Sequence, residues 1–279
     1  MPGDRKPSIV HPTDFSRPSA LAFAHALRLA VAMRARLCIL HVEAADESPD
    51  GPPWEQFPGV RATLARWGLL AENAPQSAVG DQLGVEVTKV DLRAESVVGA
   101  VGDFARERDA DLLVIGTRGR EGLYRWLDGS IAERIAGHSR IPTLFVSDHA
   151  TGFVNDATGA LSLSRVLLPV DTRPDPVPAI RQLVAFLRSI DAHPRAIRLA
   201  HVGDNPPVLA SGAGESRLVV ERLDGPVVET LLEAARDADL VAMRTEGRHG
   251  FLDAMRGSTT QRVTRRAPCP VLAIPARDD

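Results

Sequence analysis

Three glycines and a serine at fixed spacing, Gly116, Gly119, Gly129 and Ser130, are the residues of this chain best suited to holding an anion. They lie in "GTRGREGLYRWLDGSIAERI", residues 116–135, which reads Gly, two residues, Gly, nine residues, then Gly-Ser. Glycine lets a backbone approach a ligand closely. The apolar run "DLLVIG" before the loop reads as a strand, and "SIAERIAGH" after its start reads as a helix. A helix start offers unpaired N–H groups and the positive end of the helix dipole. Ser130 and Glu133 have the S-x-x-E spacing of a capping box, and Arg118 adds a guanidinium whose geometry suits phosphate. The chemistry to expect is a phosphate cradle. Taken singly, each glycine could make no more than a turn; the strand–loop–helix setting is what favours a ligand. Other phosphate motifs are missing from the sequence. It has no G-x-x-x-x-G-K-[ST] loop and no G-x-G-x-x-G after its first strand.

The elements that must position this loop occur twice. "SIVHPTD" (8–14) is matched by "RVLLPVD" (165–171), each an apolar run ending in Pro-x-Asp. Helical patterns follow, with Leu21, Ala24, Leu27 and Val31 on one face in the first copy and Ile180, Leu183, Val184 and Leu187 in the second. Next come "RLCILHV" and "AIRLAHV", then "VEVTKVDL" and "RLVVERL", then a helix and "DADLLVIG" or "DADLVAMR". Each copy closes on a Pro-bounded strand, "IPTLFV" or "CPVLAIP". Alternating strands and helices predict parallel sheets with right-handed crossovers, a doubly wound α/β architecture in each copy. The expected domains are residues 1–150 and 160–279, with the boundary in the small, polar stretch 148–164.

The copies differ in length. Pro12 and Pro169 are 157 residues apart, Gly119 and Gly247 only 128, so the second copy is 29 residues shorter over that span. The loss falls between its second and third strands. There the first copy has a helical pattern after Pro58, with Val60, Leu64, Trp67 and Leu70 periodic, and the second has "GDNPPVLASGAGES". The second sheet is therefore expected to lack one crossover helix, leaving a face for homodimer or partner contact.

Composition sets the outer limits. The chain has 279 residues, 44% hydrophobic and 25% charged, as a globular protein does. A net charge of −3 gives no reason to expect nucleic acid. No apolar run reaches membrane-spanning length, and the first residues have no signal-peptide core, so the expectation is a cytoplasmic protein without membrane contact. Cys38 and Cys269 sit in apolar runs and are expected as buried free thiols, consistent with a reducing compartment. His41 and His201 end the second strands and are expected as core or loop-anchoring residues; His11 is expected to be packed, and Trp54 and Trp67 in the core, with an exposed partner surface as the alternative. Asp14 and Asp171 could meet a ribose or a metal-bound phosphate, or cap the strand ends.

The loop "GTRGREGLYRWLDGS", with "HPTDFSRPS" and "RIPTLFV", makes the chain resemble a tandem universal stress protein, two such domains in one polypeptide. The family pattern is Gly-2x-Gly-9x-Gly-(Ser/Thr), and the resemblance covers almost the whole chain. It implies two five-stranded parallel sheets in the order 3-2-1-4-5, and ATP binding, with Mg²⁺ as an optional companion, where the motif is kept. By position it implies Pro12, Thr13, Asp14 and Val42 around adenine and ribose, and Ile115 and Gly116 beside the ribose. Gly119, Gly129, Ser130 and Ile131 would then lie at the phosphates, mostly through backbone N–H groups, with the Arg118 charge read above beside them. The second copy departs from this: "MRTEGRHGFLDAMRGST" keeps Gly247, Gly257 and Ser258 but has Arg244 for Gly116 and Glu246 for Arg118. The resulting expectation is a regulatory ATP-binding protein of stress physiology, with one nucleotide in the first copy and an unidentified protein partner. The rivals are a slow ATPase, for which the loop offers only Glu121 and Asp128 as nearby carboxylates, and a protein-interaction scaffold without nucleotide.

Overall fold

A computed structural model describes residues 5–44, 54–55, 57–117, 129–209, 219–245 and 259–276. It divides into two compact units, residues 1–148 with 154–162, and residues 149–153 with 163–279.

The first unit alternates strand and helix as the apolar runs predict. Its elements are β1 (Ser8–Pro12), α1 (Arg17–Met33), β2 (Arg36–Ala44), α2 (Val60–Arg66), α3 (Ala78–Leu83), β3 (Glu86–Ala94), α4 (Val97–Glu107), β4 (Leu112–Thr117), α5 (Gly129–Ser139) and β5 (Thr143–Ser147). All pairings are parallel, β1 with β2 and β4, β2 with β3, and β4 with β5, giving the order 3-2-1-4-5. Every residue of β1, β4 and β5 is buried, which is the mark of a parallel sheet covered on both faces. The winding runs one way from β1 to β3 and the other from β4 to β5, so right-handed crossovers place helices on both faces.

The second unit repeats the plan with β6 (Arg165–Pro169), α6 (Val177–Ser189), β7 (Ala196–Val202), β8 (Val220–Leu223), α7 (Val227–Ala234), β9 (Leu240–Thr245), α8 (Thr259–Arg266) and β10 (Val271–Pro275). Here β6 pairs with β7 and β9, β7 with β8, and β9 with β10, again all parallel and in the corresponding order. Its core gathers Leu167, Leu231, Val241, Val263 and Val271. Between β7 and β8 no helix occurs among the described residues, where the first unit has α2 and α3. Both units close their amino-terminal edge with the same device. Asp111 accepts the Ser8 N–H at 2.8 Å, and Asp239 accepts those of Ser164 and Arg165 at 2.7 and 2.8 Å. The two Asp-Ala-Asp sequences are thus strand clasps.

Three expectations need correction in detail. The helix after Pro58 is shorter than its apolar period, ending at Arg66 because Gly68 turns to φ 72°. Trp67 and Leu70 are nevertheless buried, whereas Trp54 is half-buried, its Nε1–H donating to the Asp91 carboxylate at 3.0 Å. In α1 the deepest positions are Ser19, Ala22, Phe23, Ala26, Leu27, Leu29 and Ala30, with Leu21 and Val31 only half-buried.

The reason for the last is residues 154–162, expected as part of a linker, which form a strap on the first unit. The Val154 N–H donates to His25 Nε2 at 3.4 Å, Arg28 Nε to the Gly159 carbonyl at 2.9 Å and Trp67 Nε1 to the Asp156 carbonyl at 2.9 Å. Gly159 takes φ 68°, and a Cβ there would stand 2.4 Å from the Trp67 ring. The α1 helix is therefore buried from two sides, by the sheet and by the strap.

Candidate functional site

The sheet order puts the reversal of winding between β1 and β4, and the carboxyl ends of strands at such a reversal are where doubly wound folds bind ligands. Pro12 ends β1, and Thr13 and Asp14 open the turn that leads to α1. Val42 lies near the end of β2, with Ile115 and Gly116 near the end of β4. Gly129, Ser130 and Ile131 form the first turn of α5, which begins one residue ahead of the expected Ser130 start. Arg118 and Gly119, with Glu121 and Asp128, lie outside the described residues. The described members of the predicted set thus stand on β1, β2, β4 and the start of α5.

The turn after β1 is held from within. Thr13 Oγ1 accepts the Phe15 N–H at 3.0 Å and the Ser19 hydroxyl at 2.8 Å. One Asp14 oxygen accepts the Ser16 N–H at 3.0 Å, and Ser16 Oγ caps α1 by accepting the Ser19 N–H at 3.4 Å. Phe15 is thereby fixed at φ 61°, a conformation that non-glycine residues seldom adopt. Thr13 spends its hydroxyl on the turn and is buried, so its role is to shape the site; Asp14 is half-buried. Ser16 and Ser19 escaped the sequence-based site list, although Ser16 followed by Arg17-Pro18 has the form of a helix start.

Histidines pin this turn in both units. His41 Nδ1 donates to the Thr13 carbonyl at 2.8 Å, and His201 Nδ1 to the Val170 carbonyl at 3.1 Å. The 157-residue repeat makes Val170 the counterpart of Thr13, so the two bonds are equivalent. His11 is packed as expected, fully buried beside Phe23 and Phe57 and donating from Nδ1 to the Val114 carbonyl at 2.8 Å. Burial lowers its pKa to about 4, opposed in part by that hydrogen bond. Cys38 and Cys269 are free and buried; burial raises their pKa values to about 11 and about 12, leaving the reactive thiolate scarce at neutral pH. Among the described residues no three His, Cys, Asp or Glu side chains gather as a metal site.

Gly116 has a structural cause that spacing did not disclose. A Cβ on it would stand 2.6 Å from the Pro18 carbonyl oxygen and 2.8 Å from the Ser19 nitrogen. The α1 backbone, rather than a ligand alone, requires glycine there. Gly116→Ala is expected to destabilise the first unit by about 3 kcal/mol, the upper range for overpacking against backbone that cannot yield, as measured by urea unfolding. An unchanged midpoint would remove this explanation.

The second unit solves the same crossing differently. Arg244 occupies the Gly116 position and its Nη1 donates to the carbonyl of Asp175, the residue at the Pro18 register. The α6 helix begins at Val177, three residues later in that register than α1 at Arg17. The entry to the helix has been drawn out into a loop that makes room for a side chain.

Two doubly wound parallel sheets with turn residues gathered at the winding reversal define an α/β protein of the nucleotide-binding architectural class. The family model described as "Universal stress protein family" matches residues 7–147 and 208–275, and the chain belongs to that family. A universal stress protein of Mycolicibacterium smegmatis is 27% identical over 95% of both chains. One from Methanocaldococcus jannaschii is 33% identical over 50% of this chain and 80% of its own. The crystal structure of a universal stress protein from Archaeoglobus fulgidus shares the fold at a TM-score of 0.65, with 19% identity over 95% of this chain and 97% of that one. No described helix is long and apolar enough to cross a membrane.

Proposed function

We propose that this chain is a cytoplasmic, ATP-binding regulatory protein of the stress response, with its nucleotide held by the first unit. The observation that carries the reading is the gathering of Pro12, Thr13, Asp14, Val42, Ile115 and Gly116 at neighbouring strand ends beside the winding reversal, in a chain whose Gly-2x-Gly-9x-Gly-Ser motif is complete. The turn after β1 is braced by its own hydrogen bonds without any ligand, and such preorganisation reduces the ordering cost of binding. Asp14, half-buried at the start of that turn, would face the ribose. Gly129, Ser130 and Ile131 would offer main-chain N–H groups to phosphates at the start of the 11-residue α5. Arg118 and Gly119 would complete the cradle, and Mg²⁺ would add charge neutralisation on the phosphates. Occupancy would then bias a conformation or a contact with a partner protein or a second copy.

Two measurements test this. Mass spectrometry of small molecules released from purified protein should find an adenine nucleotide, and its absence together with no heat on Mg-ATP titration would favour a scaffold without nucleotide. Incubation of the saturated protein with Mg-ATP should leave it unhydrolysed over many dissociation times. Steady turnover would move the reading to a slow ATPase.

A further inference from the structure

The strand β3 ends the first unit's sheet. Among the described residues it pairs with β2 alone, in unbroken register from Glu86 to Ala94. It has nine residues, with no proline and no glycine. A long, regular edge offers its free main-chain groups to another strand. The Glu86 N–H donates to the Ala35 carbonyl of the β2 side at 3.3 Å. Alternation along the strand then turns the main-chain groups of Thr88, Val90 and Leu92 towards β2 and those of Val87, Lys89, Asp91 and Arg93 outward.

The side chains on this edge carry a pattern of their own. Lys89 and Asp91 are exposed on one face, and Trp54 holds both. The Lys89 ammonium stands 4.8 Å from the centre of its ring, and the Asp91 carboxylate accepts its Nε1–H at 3.0 Å. On the other face Val90, Leu92 and Ala94 are half-buried, an apolar row that stops at the open edge.

A two-fold axis that sets two copies of one strand antiparallel keeps each face on its own side, so one residue must stand opposite itself. The register centred on Val90 is the one that pairs all nine residues. It sets Lys89 opposite Asp91 of the second copy and Asp91 opposite Lys89, with Val90 against Val90. All the outward groups then meet partners, forming about eight main-chain hydrogen bonds. Opposite charges directly across a strand pair stabilise it, and like charges destabilise it. Moving the centre by one residue sets Lys89 against Lys89, or Asp91 against Asp91. The corresponding edge of the second unit, β8, has four residues. Its two fullest registers set Glu221 against Glu221 or Arg222 against Arg222, so that edge repels a copy of itself.

We propose that β3 is a homodimer seam, at which two copies of the chain join antiparallel through their first units about a two-fold axis at Val90. This places the second copy on the first unit, away from the second-unit face expected from the sequence. It does not rest on nucleotide binding.

Light scattering on the full-length protein at about 100 μM should give twice the chain mass, the micromolar association that suits a short interface. Between about 1 and 100 μM, amide exchange at Lys89 and Asp91 should slow, while Thr88 and Val90, which face β2, should not change. Lys89→Asp and Asp91→Lys should each weaken the dimer at least tenfold, and the double exchange should restore it, because it rebuilds both opposite-charge pairs. Val90→Cys should form an intermolecular disulfide in oxidised glutathione, since facing residues at such a position have Cα atoms about 4.5 Å apart. Thr88→Cys should not, because its two copies stand about 13 Å apart along the strands; Cys38 and Cys269 are buried and do not compete. A monomer at every concentration, or a dimer without slowed exchange at Lys89 and Asp91, would overturn the proposal, and neither readout needs a variant to fold. A double exchange no better than its single parents, or equal cross-linking through Thr88→Cys, would overturn the register. Failure of ATP to bind anywhere would leave these measurements standing on their own.

Discussion

Acidification from pH 7 to pH 4 is expected to remove about 3 kcal/mol of folding free energy through each of two histidines, His11 and His25. Both are buried, and burial lowers each pKa from 6.5 to about 4. In each case a hydrogen bond from Nδ1, to the carbonyl of Val114 or of Leu21, pulls weakly the other way, and for His25 the charge of Asp156 does so too. Above pH 6.5 both states are neutral at these sites and no stability is at stake. Between 6.5 and 4 the unfolded chain binds protons that the folded chain refuses, so stability falls as pH falls. Below 4 both states are protonated and the loss is complete. A domain stable by 5–15 kcal/mol would give up a large share of that.

The environments explain the refusal. His11 Nε2 is buried with no partner among the described residues, so a proton there would place a charge among Phe23 and Phe57. His25 Nε2 accepts the Val154 N–H, and a proton there would set two donors against each other and release the strap. The second unit supplies the replacement residues, since Leu168 and Gln182 stand at these positions. In urea titrations at pH 7, 5.5 and 4, His11→Leu and His25→Gln should each flatten the loss by about 3 kcal/mol. A loss of unchanged size in either variant would assign the acid sensitivity to other groups.

Titration with Mg-ATP is expected to saturate at one nucleotide per chain. The first copy keeps Gly116, Gly119, Gly129, Ser130 and Arg118, and the second has Arg244 and Glu246 where the first has Gly116 and Arg118. A carboxylate at contact with a phosphate costs about 1 kcal/mol even in water, and more where water is excluded. Arg244 adds a side chain anchored to Asp175 at the strand end where the family pattern has only backbone. Together a few kcal/mol would carry a micromolar site beyond millimolar. Gly119→Val should weaken binding at least tenfold, about 1.4 kcal/mol, and Gly247→Val should leave it nearly unchanged. A stoichiometry of two, or loss of binding on changing Gly247 alone, would show that the working half has been assigned wrongly.

The sequence by itself determined the architecture. Apolar runs ending in Pro-x-Asp, the paired His-Val strand ends and the two Asp-Ala-Asp segments recur in order, and such periodicity reports local structure directly. Strand order followed from the family resemblance, and the pairings agree with it. The asymmetry of the two loops was equally legible, because glycine and arginine differ in ways that chemistry can read. Only the tertiary structure decided why Gly116 is glycine, what Thr13 does with its hydroxyl, that residues 154–162 belong to the first unit, and where Arg244 is anchored. The bonds of Trp67 to Asp156, Arg28 to Gly159, His41 to Thr13 and Arg244 to Asp175 all end on a main-chain carbonyl. Every residue carries such a carbonyl, so nothing in the residue types marks the one that will be met. Close approach of two backbones, as at Gly116 and Pro18, is likewise a property of how elements cross, and becomes visible only once the sheet has placed β4 against α1.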